Sequence, residues 1–167
     1  MSPAIVLDGE APRLIDEWQE VPALWDAVRY KVSKNEIGAK TYTQLKNDSE
    51  SFSRVLESLG ERGGHIAVTG MTSYEWIVTY LGTVNSESVA VPLDVSLPAN
   101  DLCDLINRSD ATVLVFDEVR KDVAQSAMEN CPKLKHIISM QKETGDDKIK
   151  SFWELVGENQ GRCDHNP

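Results

Sequence analysis

The feature that most constrains this chain is the rhythm of its apolar runs. Ile66-Ala67-Val68, Val89-Ala90-Val91-Pro92-Leu93, Thr112-Val113-Leu114-Val115-Phe116 and His136-Ile137-Ile138-Ser139-Met140 are short and apolar nearly throughout. None alternates apolar with polar residues, so each predicts a strand buried on both faces. The segments between them have helical spacing. Leu45, Phe52, Val55, Leu56 and Leu59 share a stripe behind a capping Thr43. Trp76, Ile77, Tyr80, Leu81 and Val84 share another behind Thr72-Ser73-Tyr74-Glu75, which has the spacing of a capping box. Leu102, Leu105 and Ile106 follow Pro98, placed as a first helical residue. Val119, Val123 and Ala127 mark a further helix, stopped at Cys131-Pro132. Strands alternating with helices define an α/β fold, a mostly parallel sheet flanked by helices on both faces.

Glycine supplies the punctuation. Gly60 and Gly63-Gly64 end the first helix, and Gly70 closes the first strand. Residues 142–150 are charged and read as a loop, and Phe152, Trp153, Leu155 and Val156 suggest one last short helix. The expected organisation is a lead segment over 1–38 with a short helix carrying Leu24, Val28 and Val32. An α/β body follows over 39–158, then a disordered tail over 159–167. A length of 167 residues suits one domain.

Charge narrows the partners. Asp and Glu number 27 against 17 Lys and Arg, a formal net charge of -10. A nucleic-acid surface needs a basic stripe for phosphates, and docking on anionic lipid needs the same sign, so neither is expected. No apolar run is long enough to cross a bilayer. The start of the chain has neither a basic nor a true apolar signal region, so no signal peptide is expected. Three cysteines, Cys103, Cys131 and Cys163, are odd in number and widely spaced. They make no disulfide framework, and a reducing, cytoplasmic setting fits them.

Each candidate site competes with a plain structural reading. The turn around Gly70 and Thr72 could hold an anion at a helix start, but it lacks the glycine spacing of a dinucleotide loop, and a cap explains it better. No G-x-x-x-x-G-K-[ST] sequence occurs, which excludes a Walker phosphate loop. Cys163-Asp164-His165 could be half a metal site, but no partner pair accompanies it. His65 and His136 open strands without a Ser or Cys partner at a recognisable spacing. Asp146-Asp147 lacks the ligand spacing of a calcium loop. Asp94 and Asp117 stand just past the carboxyl ends of strands, the edge where ligands gather in open α/β sheets. They could bind metal-phosphate, though capping the following turn is the preferred reading. Trp76 and Tyr80, four residues apart, line a channel or fill a core, and the spacing favours core.

Taken in order, these segments resemble the AMP-forming adenylating family of acyl-CoA ligases, luciferases and peptide-synthetase adenylation domains. Thr41-Tyr42-Thr43-Gln44-Leu45, Leu59-Gly60 and Ile66-Ala67-Val68 are similar to its opening. Ser73-Tyr74-Glu75-Trp76 with Tyr80-Leu81-Gly82 resembles its "NS-x-EW…LG" helix, and Val89-Ala90-Val91-Pro92-Leu93-Asp94 its "aVaVPLd" strand. Residues 102–111 resemble its "el…iL.ds.a" helix and turn, before a strand like Val113–Phe116. The chain departs from the pattern at Gly64-His65, where Gly-Asp is usual, at Thr72, where Asn is usual, and at Ser86-Glu87, where small glycines are usual.

The resemblance, closest to long-chain fatty-acid and other acyl-CoA ligases, implies a two-step reaction. A carboxylate attacks the α-phosphate of ATP with magnesium present, and coenzyme A then takes the acyl group. The family's phosphate loop with its lysine, its adenine motif, its ribose-binding acid and its carboxy-terminal lysine are not found in these 167 residues. No catalytic, cofactor-binding or metal-ligating residue therefore carries over. The resemblance implies a structural, incomplete portion of the large amino-terminal domain. ATP, magnesium and CoA would belong to the parent enzyme, with a fatty acid or other carboxylic acid as substrate. The partner would be the missing carboxy-terminal part, and a homodimer is a further option. The alternative is a self-standing, flavodoxin-like nucleotide-binding or interaction module.

Overall fold

The computed structural model describes residues 41–141 and 147–160. The chain divides into two compact units, Met1–Leu45 and Lys46–Pro167, and the sheet lies in the second. The lead-segment helix expected around Leu24, Val28 and Val32 lies outside the described residues, as does the tail beyond Gln160.

The elements are α1 (Tyr42–Ser58), β1 (His65–Thr69), α2 (Tyr74–Asn85), β2 (Val89–Leu93), α3 (Ala99–Arg108), β3 (Val113–Phe116), α4 (Lys121–Asn130), β4 (His136–Ser139), β5 (Ile149–Ser151) and α5 (Phe152–Glu158). A single 3-10 turn, Glu118–Arg120, leads into α4. The five strands run parallel in the order β2-β1-β3-β4-β5. Each apolar run forms a strand; β1, β3 and β4 are covered on both faces, whereas β2, expected to be buried on both, is an edge strand with Val89 and Pro92 exposed. β5 is a correction: residues 149 and 150 were expected in a loop, yet Ile149 pairs with Ile137 and adds an edge strand. Its three residues are too short to give a periodic signal, and β4 supplies the pairing.

The pleat sorts the core into two layers. Ala67, Leu93 and Leu114 pack with Leu102, Cys103 and Ile106 of α3 and Val123 and Ala127 of α4. Their neighbours Ile66, Val68, Val113 and Val115 point the other way and are also fully buried. On that side Phe52 of α1 stacks on Phe152 of α5 at 5.3 Å, and Tyr74 at the start of α2 stacks on Trp153 at 6.2 Å. The Tyr74 hydroxyl donates to buried Asp48 at 2.8 Å, and Gln160 donates to the other Asp48 oxygen at 3.3 Å. Asn159, past the expected body, is buried and accepts from Arg54 at 3.0 Å.

Two caps differ from expectation. Helix α1 is capped by Thr41, not Thr43: Gln44 N–H donates to Thr41 Oγ1 at 3.1 Å, while Thr41 N–H donates to Gln44 Oε1 at 2.8 Å. That reciprocity is a capping box with Gln in the third position. Helix α2 is capped by Ser73, not Thr72, its Oγ accepting from Trp76 N–H at 3.1 Å. Glu75 then falls one residue short of the box position, and its carboxylate turns to Trp153 Nε1 at 3.1 Å.

The larger correction concerns the α2 stripe. Its buried face is Val78, Thr79, Gly82 and Thr83. Ile77, Tyr80 and Leu81 are each 38% exposed, and Val84 is 53% exposed. Small residues face inward because α1 lies close: a Cβ on Gly82 would stand 2.7 Å from the Ser49 carbonyl oxygen and 2.9 Å from Phe52 Cβ. The Thr79 and Thr83 hydroxyls bond back to the carbonyls of Glu75 and Thr79, so both pack without a stranded donor. Val119, expected on the α4 stripe, is likewise outside, 63% exposed on the 3-10 turn.

Candidate functional site

A sheet with order β2-β1-β3-β4-β5 reverses direction between β1 and β3, and ligands of such sheets gather beyond the carboxyl ends there. At that point the chain places Gly70 and Asp117, the residues following β1 and β3. Gly70 has φ of 138°, and a Cβ on it would lie 2.5 Å from Asp117 Cγ. Only glycine permits this approach, which lets the next backbone N–H, that of Met71, donate to Asp117 Oδ2 at 2.6 Å. Asp117 is 9% exposed, and its Oδ1 has no hydrogen-bond partner.

Asp117 borders a cleft of about 600 Å³ with Ser73, Glu75, Glu118, Gln141 and Trp153, and with Met140 beneath. Among the described residues, three carboxylates and no lysine or arginine line it. Such a lining attracts hydrogen-bond donors and cations and repels phosphate. Asp94 does not join it. Fully exposed, it accepts from Ser96 N–H at 2.8 Å and from Ser96 Oγ at 2.7 Å, and those bonds hold its carboxyl below the usual range. It is a turn cap, as its plain reading had it.

Arg120 went unnoticed in the sequence. Buried to 5% exposure, it donates to the carbonyls of Val95 at 2.6 Å and Leu97 at 2.8 Å and pairs with Asp122 at 3.1 Å. It ties the loop after β2 to the start of α4 and so fixes one flank of the carboxyl edge. No spacing rule singles out such an arginine, because its partners are backbone carbonyls distant in sequence.

The histidines stand at the opposite edge. His65 Nδ1 contacts the Ser109 carbonyl. His136 lies 3.8 Å from Glu61, which is 4% exposed and takes hydrogen bonds from Thr112 Oγ1 at 2.6 Å and Lys135 Nζ at 3.0 Å. Burial alone would raise the Glu61 carboxyl; Thr112, Lys135 and His136 together hold it below the ordinary range. Burial and the nearby Lys150 charge push the His136 imidazole below its ordinary value. This cluster bolts the start of β1 to β3 and β4 and contains no nucleophile. Among the described residues, no group of three or more His, Cys, Asp or Glu could hold a metal ion. Asp147 is exposed, whereas Asp146 and the Cys163–His165 stretch lie outside the described residues. Cys103 and Cys131 are free, buried thiols, and burial pushes the Cys131 thiol up to about 12.

Residues 15–163 match the family described as AMP-binding enzyme. The chain belongs to that family. It is 33% identical over 76 residues to the 3-[(3aS,4S,7aS)-7a-methyl-1,5-dioxo-octahydro-1H-inden-4-yl]propanoyl:CoA ligase of Rhodococcus jostii, covering 45% of this chain and 15% of that protein. A CoA ligase of Gibberella moniliformis is 30% identical over 112 residues, covering 60% of this chain and 19% of its own length. The chain thus spans less than a fifth of these relatives. Among solved structures, coronafacic acid ligase from Pectobacterium brasiliense superposes with a TM-score of 0.68 at 21% identity, over 76% of this chain and 26% of that one. That likeness shows the fold: this α/β unit is a partial domain of the adenylate-forming kind.

Proposed function

We propose that this chain is an amino-terminal part of an ATP-dependent acyl-CoA ligase and acts within it as scaffold rather than as the reacting site. The carrying observation is the family match over 15–163 combined with a cleft at the carboxyl edge whose described lining residues include three acids and no lysine or arginine. A triphosphate needs backbone N–H cradles and positive charge where negative charge develops. Glu75, Asp117 and Glu118 do not fit ATP, so no step is routed through them. ATP, magnesium and CoA would be held by polypeptide outside this chain, and the acid activated there would be a carboxylic acid, long-chain fatty acids included. A cytoplasmic location belongs to the same proposal and is supported by the free buried thiols Cys103 and Cys131.

The test is ATP–pyrophosphate exchange across a panel of fatty acids. The free 167-residue chain should give none, and the chain joined to the remainder of an adenylating enzyme should give exchange. Activity from the free chain would overturn the scaffold role. A second reading, a nucleotide module at the β1/β3 switch point, draws support from the strand order alone. Calorimetry separates the two, since micromolar binding of AMP or FMN to the free chain favours the module.

A further inference from the structure

The two ends of β4 open on clefts of opposite character. Past its carboxyl end, Met140 and Gln141 line the acidic cleft of Asp117. Before its amino end lies a second cleft of about 350 Å³, walled by Ala127 and Met128 of α4, Leu134, and Ile137 of β4, with Lys135 and Lys148 completing the lining beside Cys131. That size is within the range of small-molecule pockets. Among the described residues, no carboxylate lines it. The cleft exists because the helical cover runs out. Helix α4 stops at Asn130, where Cys131-Pro132 turns the chain away, and β5 begins only at Ile149. Leu134 packs against both buried clusters of this face and Met128 against one, yet both stay only partly buried. The pairing of Ile137 with Ile149 brings the residues that precede β4 and β5 to neighbouring positions, and those residues include Lys135 and Lys148. Both lysines are exposed. Lys135 gives one N–H to Glu61 at 3.0 Å, and an ammonium has three to give.

We propose that this cleft binds a small amphiphilic anion, a carboxylate with an apolar tail. The tail displaces water from Ala127, Met128, Leu134 and Ile137, and the carboxylate accepts charge-assisted hydrogen bonds from Lys135 and Lys148. Two ammonium groups against an apolar wall reverse the sign that the chain carries as a whole, a formal net charge of -10. They disfavour a cation, and the apolar wall offers nothing to the further charges of a polyanion. Glu61 does not oppose the ligand strongly, since it is buried and already bonded to Thr112 and Lys135. No covalent step is involved: burial pushes the Cys131 thiol up to about 12, far from a reactive thiolate. The site stands at the opposite edge of the sheet from the Asp117 cleft, so the inference does not rest on the ligase reading.

The experiment titrates octanoate into the purified 167-residue chain, with no ATP or CoA present, and follows isotope-labelled methionine methyl groups by NMR. Met128 reports on this cleft, Met140 on the Asp117 cleft, and Met71 is exposed after β1. A saturable shift of Met128 is expected while Met140 and Met71 stay in place. Octylammonium and octanol, which share the tail, should bind at least fivefold more weakly. Lys148→Glu, at an exposed position, should weaken octanoate at least fivefold with the circular dichroism unchanged. Tyr80→Ser with Leu81→Ser, on another surface, should leave binding as it is. A missing Met128 shift, a shift led by Met140 or Met71, or full affinity in folded Lys148→Glu overturns the proposal. So does octylammonium binding as tightly as octanoate, a comparison that uses the unmodified chain and decides the matter even where the variant fails to fold.

Discussion

Gly82 and Glu87 show how much one backbone position can decide. A methyl at Gly82 has no room against the Ser49 carbonyl and Phe52, and both neighbours are held in the α1 layer. Gly82→Ala should therefore destabilise by about 1–3 kcal/mol, the range of overpacking, despite alanine's better helix propensity. Glu87 sits at φ of 60°, a left-handed conformation that glycine adopts freely. Its exposed pair with Arg62 at 3.2 Å contributes little in return. Glu87→Gly should raise stability by roughly 0.5 kcal/mol. Urea unfolding of the two variants checks both signs. The resemblance had placed glycine at both positions, and the structure supplies the reason for each: close helix contact at one, a left-handed turn at the other. The caps were legible only to within a residue or two, because Thr41, Thr43, Thr72 and Ser73 are chemically equivalent candidates and backbone geometry chooses between them.

At the scale of elements, the amino edge of the sheet is fastened by Glu61. It bridges Thr112 before β3 to Lys135 before β4, and its carboxyl is held below the usual value. A carboxyl depressed on folding stabilises above the unfolded glutamate value of about 4.3. That stabilisation disappears as pH falls through the lower folded value. Glu61→Gln should thus unfold more easily at pH 7 and show a shallower loss of stability below about pH 4 than the wild type. Thermal melts at stepped pH read this directly, and parallel acid limbs would refute it. This cluster was not visible in the sequence, where Glu61, Thr112 and the adjacent pair Lys135-His136 are far apart. The helices and the longer strands were visible, because period and length survive in one dimension. β5 was not, since three residues carry no period.

For the whole molecule, surface charge and the α2 stripe oppose each other. Near pH 7 the formal charge of -10 opposes association of copies through the exposed Tyr80, Leu81 and Val84. Near the isoelectric point of about 4.7 that repulsion vanishes. Light scattering should rise as pH approaches this value, and Tyr80→Ser with Leu81→Ser should suppress the rise; equal scattering by both proteins would show that another surface is responsible.

By itself, the sequence determined the class of fold and the four longer parallel strands with their order along the chain, because strands of a covered parallel sheet are written as continuous apolar runs. It also determined the family, through ordered segments such as Val89–Leu93. Only the tertiary structure decided the spatial strand order, the closed fit of Gly70 on Asp117, and the inversion of α2. Helical spacing reports that Trp76, Ile77, Tyr80, Leu81 and Val84 share a face, but the side that packs is set by which neighbour comes near enough. Here α1 comes close over Gly82, and the larger side chains are left outside.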